Sequence, residues 1–304
     1  MSEEKSKIPN FYILGASKAG STSLNYYLDQ HPNIYMGSDK EPEFFQNDQD
    51  YSKGLDWYHN TYFRNADFNY PVGEASASYL YYSKVAERLS SLPVANQRFI
   101  VIMRNPIERA YSQYWHQVRR GETRSFQAAI DAELAEISLN KEVIFEFPPK
   151  SYYLGRSLYG AHIKNYLSYF KKEQFLFLFL EELKLNPESV FDKICSFLGV
   201  QEYHGFSTKK VYNSGATSPI LVQMNRLKKS SIGRVIRRWD AGFTSSLKRT
   251  VLNNSALFSN REKYPEMNSD LKSKLEEFFS EDVQLLSTLL PDDGFSPNWL
   301  SQEK

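Results

Sequence analysis

The sequence predicts an α/β fold, a P-loop-like parallel β-sheet with helices on both faces. Three observations predict it. Short apolar runs at Phe11–Leu14, Phe99–Met103 and Phe175–Leu180 have the length and unbroken hydrophobicity of strands buried on both faces. Helical patterns separate each run from the next, as the crossovers of a parallel sheet require. The first two runs end at Gly15 and Arg104, where chemistry-bearing residues begin, and such sheets bind ligands beyond the C-terminal ends of their strands.

The first run leads into Gly15-Ala-Ser-Lys-Ala-Gly20, followed by Ser21, Thr22 and Ser23 and a helical pattern from Ser21 onward. A strand, a small-residue loop and a helix N-terminus together form a phosphate cradle, because backbone N–H groups and the helix dipole point at an anion. The spacing comes close to a Walker A loop, but that loop needs a lysine directly after its second glycine. Here Lys18 lies two residues before Gly20, so its charge meets a different part of the ligand, which argues against an ordinary ATP or GTP site.

Behind the second run comes Arg104-Asn-Pro-Ile-Glu-Arg109-Ala-Tyr-Ser112-Gln-Tyr-Trp-His116. Pro106 suits a first helical turn, and Ile107, Ala110, Tyr111, Tyr114 and Val118 share one face of a helix over Pro106–Val118. Arg104 leaves the strand end and can fork onto a phosphate. Ser112, two turns into the helix, reaches the same phosphate only if the chain folds back. Between these motifs Lys40-Glu41-Pro-Glu43-Phe-Phe45 holds two carboxylates on a backbone that proline keeps extended. Later, Asn186 caps a helix with Pro187 in its first turn and Gly199 at its end, and Leu271–Leu290 forms another helix stopped by Pro291.

Taken together, these motifs resemble the PAPS-dependent sulfotransferases (PAPS is 3′-phosphoadenosine 5′-phosphosulfate), in particular the branch of the heparan sulfate sulfotransferases and their bacterial relatives. The resemblance covers nearly the whole chain apart from about 213–265. It implies that Lys18, Ala19, Gly20, Ser21, Thr22 and Ser23 bind the 5′-phosphosulfate, that Arg104 and Ser112 hold the 3′-phosphate, and that Glu41 is the catalytic base. Ala19 stands where many members have glycine, and Glu43 where a histidine is usual. Gly73-Glu74-Ala-Ser-Ala-Ser-Tyr79 resembles a further family segment, with Glu74 and Tyr79 matching and Ala75 in place of a lysine that faces the active site in the glycosaminoglycan enzymes. Another branch uses a histidine base, which makes His116 the competing candidate, with a packed structural role as its default. Arg109 is expected to be exposed or structural. The implied reaction moves a sulfuryl group from PAPS to a hydroxyl or amine and releases the 3′,5′-bisphosphate of adenosine. It calls for no metal, and the five histidines and one cysteine show no ligand spacing. A P-loop kinase and a non-catalytic nucleotide- or glycan-binding protein are the alternatives; the place of Lys18 and the lack of a Walker B aspartate after a strand argue against the first, and Lys18 and Glu41 together against the second.

The composition fits this reading. A hydrophobic content of 41% supports a core, and 15% aromatics suit a pocket for a nucleotide and a sugar as well as a packed interior. The net charge of +1 disfavours a bulk polyanion binder such as a nucleic-acid protein. Cys195 has no partner for a disulfide and falls on the apolar side of a helix. No N-terminal apolar segment or run of 18 apolar residues occurs, which leads to the expectation of a cytoplasmic protein. Residues 1–8 read as a flexible tail and 9–304 as one domain, with a lid or insertion at 213–265. Inside that insertion, Arg226, Lys228, Lys229, Arg234, Arg237, Arg238, Lys248 and Arg249 accompany Ile232, Val235, Ile236 and Trp239 at helical spacing. Such a segment suits an ordinary docked surface helix or contact with an anionic surface. The acceptor itself, whether glycan, lipid-linked, carrier-bound or small metabolite, leaves no mark in the sequence.

Overall fold

The structure is a computed structural model that describes residues 7–94, 96–145, 152–205, 264–291 and 295–300. Five parallel strands form one sheet: β1 (Phe11–Gly15), β2 (Tyr35–Met36), β3 (Val72–Ala75), β4 (Arg98–Met103) and β5 (Phe175–Phe179), in the order β2-β3-β1-β4-β5. The helices are α1 (Ser21–Leu28), α2 (Asp48–Tyr51), α3 (Leu55–Tyr62), α4 (Ser83–Ser90), α5 (Pro106–Arg120), α6 (Phe126–Leu139), α7 (Tyr159–Leu167), α8 (Leu180–Leu185), α9 (Pro187–Leu198) and α10 (Ser269–Leu289).

Strand alternation builds two cores. Phe11, Ile13, Ile100, Ile102 and Leu178 point to one face and pack with Leu24 and Leu28 of α1 and Val190, Phe191, Ile194 and Leu198 of α9. Tyr12, Leu14, Phe99, Val101 and Met103 point to the other and meet Val85 and Leu89 of α4 and Ile163 and Tyr166 of α7. A third apolar cluster joins α5, α6 and α10 through Ile107, Ala110, Tyr114, Ile130, Leu275, Phe279 and Val283. Cys195 is buried, as its helical position predicts.

The sheet is the parallel, helix-flanked one that the sequence predicts, with two strands it did not reveal. β2 has two residues, too few for any periodicity, and Val72-Gly-Glu-Ala carries a glycine and a glutamate in a fully buried strand. Gly73 is required there because the Phe11 ring lies across it; a Cβ on Gly73 would stand 2.0 Å from Phe11 Cζ. Of the tail residues 1–8, only Lys7 and Ile8 are described, and Ile8 is buried. The expected lid at 213–265, including the basic segment 226–249, lies outside the described residues except for Tyr264 and Pro265. No described helix is long and apolar enough to cross a membrane.

Parallel strands put their C-terminal ends on one edge. The chain leaves that edge through residues 16–20 after β1, 37–47 after β2, 76–82 after β3 and 104–105 after β4. Topology alone thus gathers the glycine loop, the Glu41 segment and Arg104 at one place.

Candidate active site

The loop between β1 and α1 is fixed by its backbone. Ala16 N–H donates to Ile102 O at 2.7 Å, and Ser17 N–H donates to the Tyr81 hydroxyl at 2.8 Å. Lys18 has φ 71° and Gly20 φ 103°, so the chain turns through the left-handed region twice in three residues. Gly20 suits this conformation and also close packing, since a Cβ there would lie 3.0 Å from Leu180 Cδ1. Gly20 is the N-cap of α1 and offers no side-chain cap, so the first N–H groups of the helix keep their affinity for an external acceptor. Ser21 and Ser23 are buried in the first turn of the helix, Thr22 is half-buried, and Ala19 is packed into the core.

Positive charge converges on this loop. Burial pushes Lys18 down from the usual lysine range to about 8, and the charges of Arg119, Arg104, Arg109 and Arg120 push it further the same way. His116 falls to about 4, first through burial and then through Lys18, Arg120 and Arg119. Four of these groups lie on α5. Arg109, Ser112, His116 and the Arg119–Arg120 pair recur at intervals of three or four residues, so one stripe of the helix runs along the loop. The opposite stripe, Ile107, Ala110, Tyr114 and Val118, packs into the third core cluster. Arg104 stands at the end of β4, half-buried, with Nη2 on Glu108 Oε2 at 2.7 Å. A phosphate at this position would compete with Glu108 for the guanidinium.

Arg109 turns out to be fully buried, which settles the choice left by the sequence in favour of structure. Its Nε donates to Ser157 Oγ at 2.6 Å, Nη2 to Tyr153 O, and Nη1 to Ser17 O at 3.5 Å. Glu133 of α6, also buried, accepts from the N–H groups of Tyr153, Leu154 and Gly155 at 2.7–2.8 Å. The turn at 153–157 is therefore held from both sides, and through Arg109 it braces the carbonyl just before Lys18.

Glu41 sits on the neighbouring part of the same edge. It is exposed, its carboxylate pairs with Lys40, and its N–H donates to Ala75 O at 2.9 Å. Glu41 and Glu43 have φ 63° and 55° around a buried Pro42. The sequence reading of an extended backbone here is corrected: proline restricts its predecessor, yet hydrogen bonds to the β3 end hold both glutamates in the left-handed region. Such positions cost about 1–3 kcal/mol each and persist where the surroundings over-determine them. Below the segment, burial raises Glu74 to about 7 against hydrogen bonds from Ser76, Tyr58 and Tyr79.

Sequence reasoning missed Arg119, Arg120, Tyr81 and the bracing role of Arg109. The arginines carried a signal, their helical interval from Ser112 and His116. Tyr81 carried none, because its contact to Ser17 spans 64 residues.

Comparison with known proteins shows which family the chain belongs to. The family described as "Sulfotransferase domain" matches residues 9–242. The chain belongs to the sulfotransferase family. The family implies PAPS as the co-substrate. A solved sulfotransferase from Alicyclobacillus acidocaldarius is 29% identical, with a TM-score of 0.62 over 93% of this chain and 95% of that one. Human bifunctional heparan sulfate N-deacetylase/N-sulfotransferase 3 is 29% identical over 99% of the chain, and mouse N-deacetylase/N-sulfotransferase 1 is 31% identical over 99%. The chain spans 32% of the length of each of these two relatives.

The electrostatics of Lys18 give a prediction with a definite sign. With a folded pKa near 8, Lys18 is half neutral at pH 8; an anion against it restores the charged form. Binding of adenosine 3′,5′-bisphosphate should therefore place about half a proton on Lys18 at pH 8, with affinity falling as the pH rises above about 8. Calorimetry in buffers of different ionisation enthalpy measures this uptake. Zero uptake throughout would place the phosphates away from Lys18.

Proposed function

We propose that this sulfotransferase carries the sulfuryl group of PAPS to a hydroxyl or amine of a glycan or similar polar acceptor. The observation that carries the reading is the half-buried Lys18, flanked by arginines at the head of the β1–α1 loop, in a chain of this family. The 5′-phosphosulfate lies over residues 18–23, taking N–H groups of the loop and hydroxyls of Ser21 and Thr22. The 3′-phosphate lies toward Arg104 and Ser112. The acceptor oxygen or nitrogen attacks sulfur in line, its bond to sulfur forms as the bond from sulfur to the bridging 5′-phosphate oxygen breaks, and the acceptor proton passes to Glu41. Charge grows on the bridging oxygen, and Lys18 is the cation fixed beside it; donors aimed in advance at developing charge are usually the largest single contribution.

The family resemblance supports Glu41 for the proton transfer, and His116 is the competing base. Burial and three cations push His116 down to about 4, so it is neutral at neutral pH. His116 remains suited to a neutral hydrogen bond at the reacting group. The glycan acceptor is supported by the names of the relatives, which are heparan sulfate enzymes. Ala75 ends β3 buried and gives its carbonyl to Glu41, so it contributes no cation for an anionic sugar chain.

Transfer of labelled sulfate from PAPS to glycan and cell-envelope extracts tests the activity itself; no labelled product with any acceptor class would count against it. Within that assay, Arg104→Ala should weaken bisphosphate binding by roughly 10–150-fold, from the loss of a charge-assisted bond worth about 1.5–3 kcal/mol. The penalty should nearly vanish for adenosine 5′-phosphate, and equal penalties for both ligands would remove Arg104 from the 3′-phosphate. Glu41→Gln should lower turnover by about 10²–10⁴-fold while bisphosphate affinity holds. If His116→Ala shows that fall and Glu41→Gln does not, the base is the histidine.

A further inference from the structure

Beneath the Glu41 segment lies a buried polar group that the proposed chemistry does not use. Glu74, in the middle of the buried strand β3, is 1% exposed and faces aromatic rings. Its Oε1 accepts from Ser76 Oγ, its Oε2 accepts from Tyr58 OH, and the Tyr79 hydroxyl bonds to it as well. Two of these hydroxyls have a second partner. Ser76 Oγ accepts the Glu43 N–H at 3.1 Å, and Tyr79 OH accepts the Phe45 N–H at 3.1 Å. Tyr58 makes no such bond to the segment.

Hydrogen-bond direction explains the arrangement. Burial raises Glu74 to about 7, so above that pH it is an ionised carboxylate that only accepts, and each hydroxyl has one proton to give it. Ser76 and Tyr79 spend that proton on Glu74, so their lone pairs face outward and receive the N–H groups of residues 43 and 45. Without the carboxylate, neither hydroxyl proton has a fixed direction, and the lone pairs are no longer held toward those N–H groups. The same segment is otherwise held by Glu41 N–H to Ala75 O, by Arg88 Nη1 to Phe45 O at 2.8 Å, and by Phe44 and Phe45 against Tyr58 and Tyr79. Glu41 itself is exposed and, among the described residues, held through its backbone and Lys40.

We infer that Glu74 is a positioning residue for the reaction, acting through Ser76 and Tyr79 to fix the backbone of residues 41–45 and so the place of the Glu41 carboxylate. This rests on Glu41 as the proton acceptor. A structural carboxylate that merely filled a polar hole would treat its three hydroxyl donors alike. The positioning role distinguishes them: Ser76 and Tyr79 transmit to the segment, and Tyr58 does not.

The test compares Ser76→Ala, Tyr79→Phe and Glu74→Leu with Tyr58→Phe in the full chain. It reads turnover, bisphosphate affinity, thermal stability and hydrogen exchange of the backbone amides of residues 41–47. Ser76→Ala and Tyr79→Phe should speed exchange at residues 43–45 and lower turnover by about tenfold or more, since small displacements of a reacting group are costly. Bisphosphate affinity should stay within about threefold in both, because the donor loop is not touched. Tyr58→Phe should lower thermal stability while leaving exchange and turnover near wild type. Glu74→Leu should match the first pair if it folds; Ser76→Ala and Tyr79→Phe keep the test decisive if it does not. Equal effects on turnover in Tyr58→Phe and Ser76→Ala, or unchanged exchange in Ser76→Ala and Tyr79→Phe, would overturn the inference. A wild-type protein that transfers no sulfate would refute the proposed function instead, and the exchange measurement would still read the coupling of Glu74 to the segment.

Discussion

The placement of Lys18 is the constraint on which the rest of the site depends. A half-buried ammonium beside four arginines is unfavourable in the absence of an anion, and its lowered pKa expresses that cost. The protein holds the geometry because its loop is bound on several sides. β4 takes Ala16, Tyr81 takes the Ser17 amide, and Arg109 takes the Ser17 carbonyl. Arg109 is in turn buried against the 153–157 turn that Glu133 holds from α6. A lysine in this setting is preorganised for a ligand with several negative charges, and PAPS has them at both ends of its sugar.

The other half of the site is built differently. The Glu41 segment is long, partly exposed and strained at two glutamates, and its order comes from hydrogen bonds to the end of β3 and from two buried phenylalanines. In the proposed reaction the rigid loop is the donor side and the Glu41 segment, pinned separately to the end of β3, the acceptor side.

Much of this was legible in the sequence, for identifiable reasons. β1, β4 and β5 are dense apolar runs, and α5 and α9 carry their own caps at Asn105–Pro106, Asn186–Pro187 and Gly199; each signal is local. The loop at 15–20 and the Arg104 motif sit directly after strands, so their meeting follows from the parallel topology. The remainder depended on contacts far apart in sequence. β3 is short and contains a buried glutamate whose partners come from α3 and the 76–79 turn, so no local pattern announces it as a strand. Arg109 reads as either exposed or structural until its partners at 17, 153 and 157 are known. The left-handed turns at Glu41 and Glu43 run against the expectation from Pro42, because the bonds that hold them come from residues 75 and 76.

The most direct test of the account is the Lys18→Ala variant, measured both for single-turnover sulfuryl transfer at saturating PAPS and for equilibrium bisphosphate binding. If Lys18 stabilises the leaving oxygen, transfer falls by about 10²–10³-fold while bisphosphate binding weakens far less. Transfer within about threefold of wild type, or a loss wholly recovered by adding more PAPS, would contradict it.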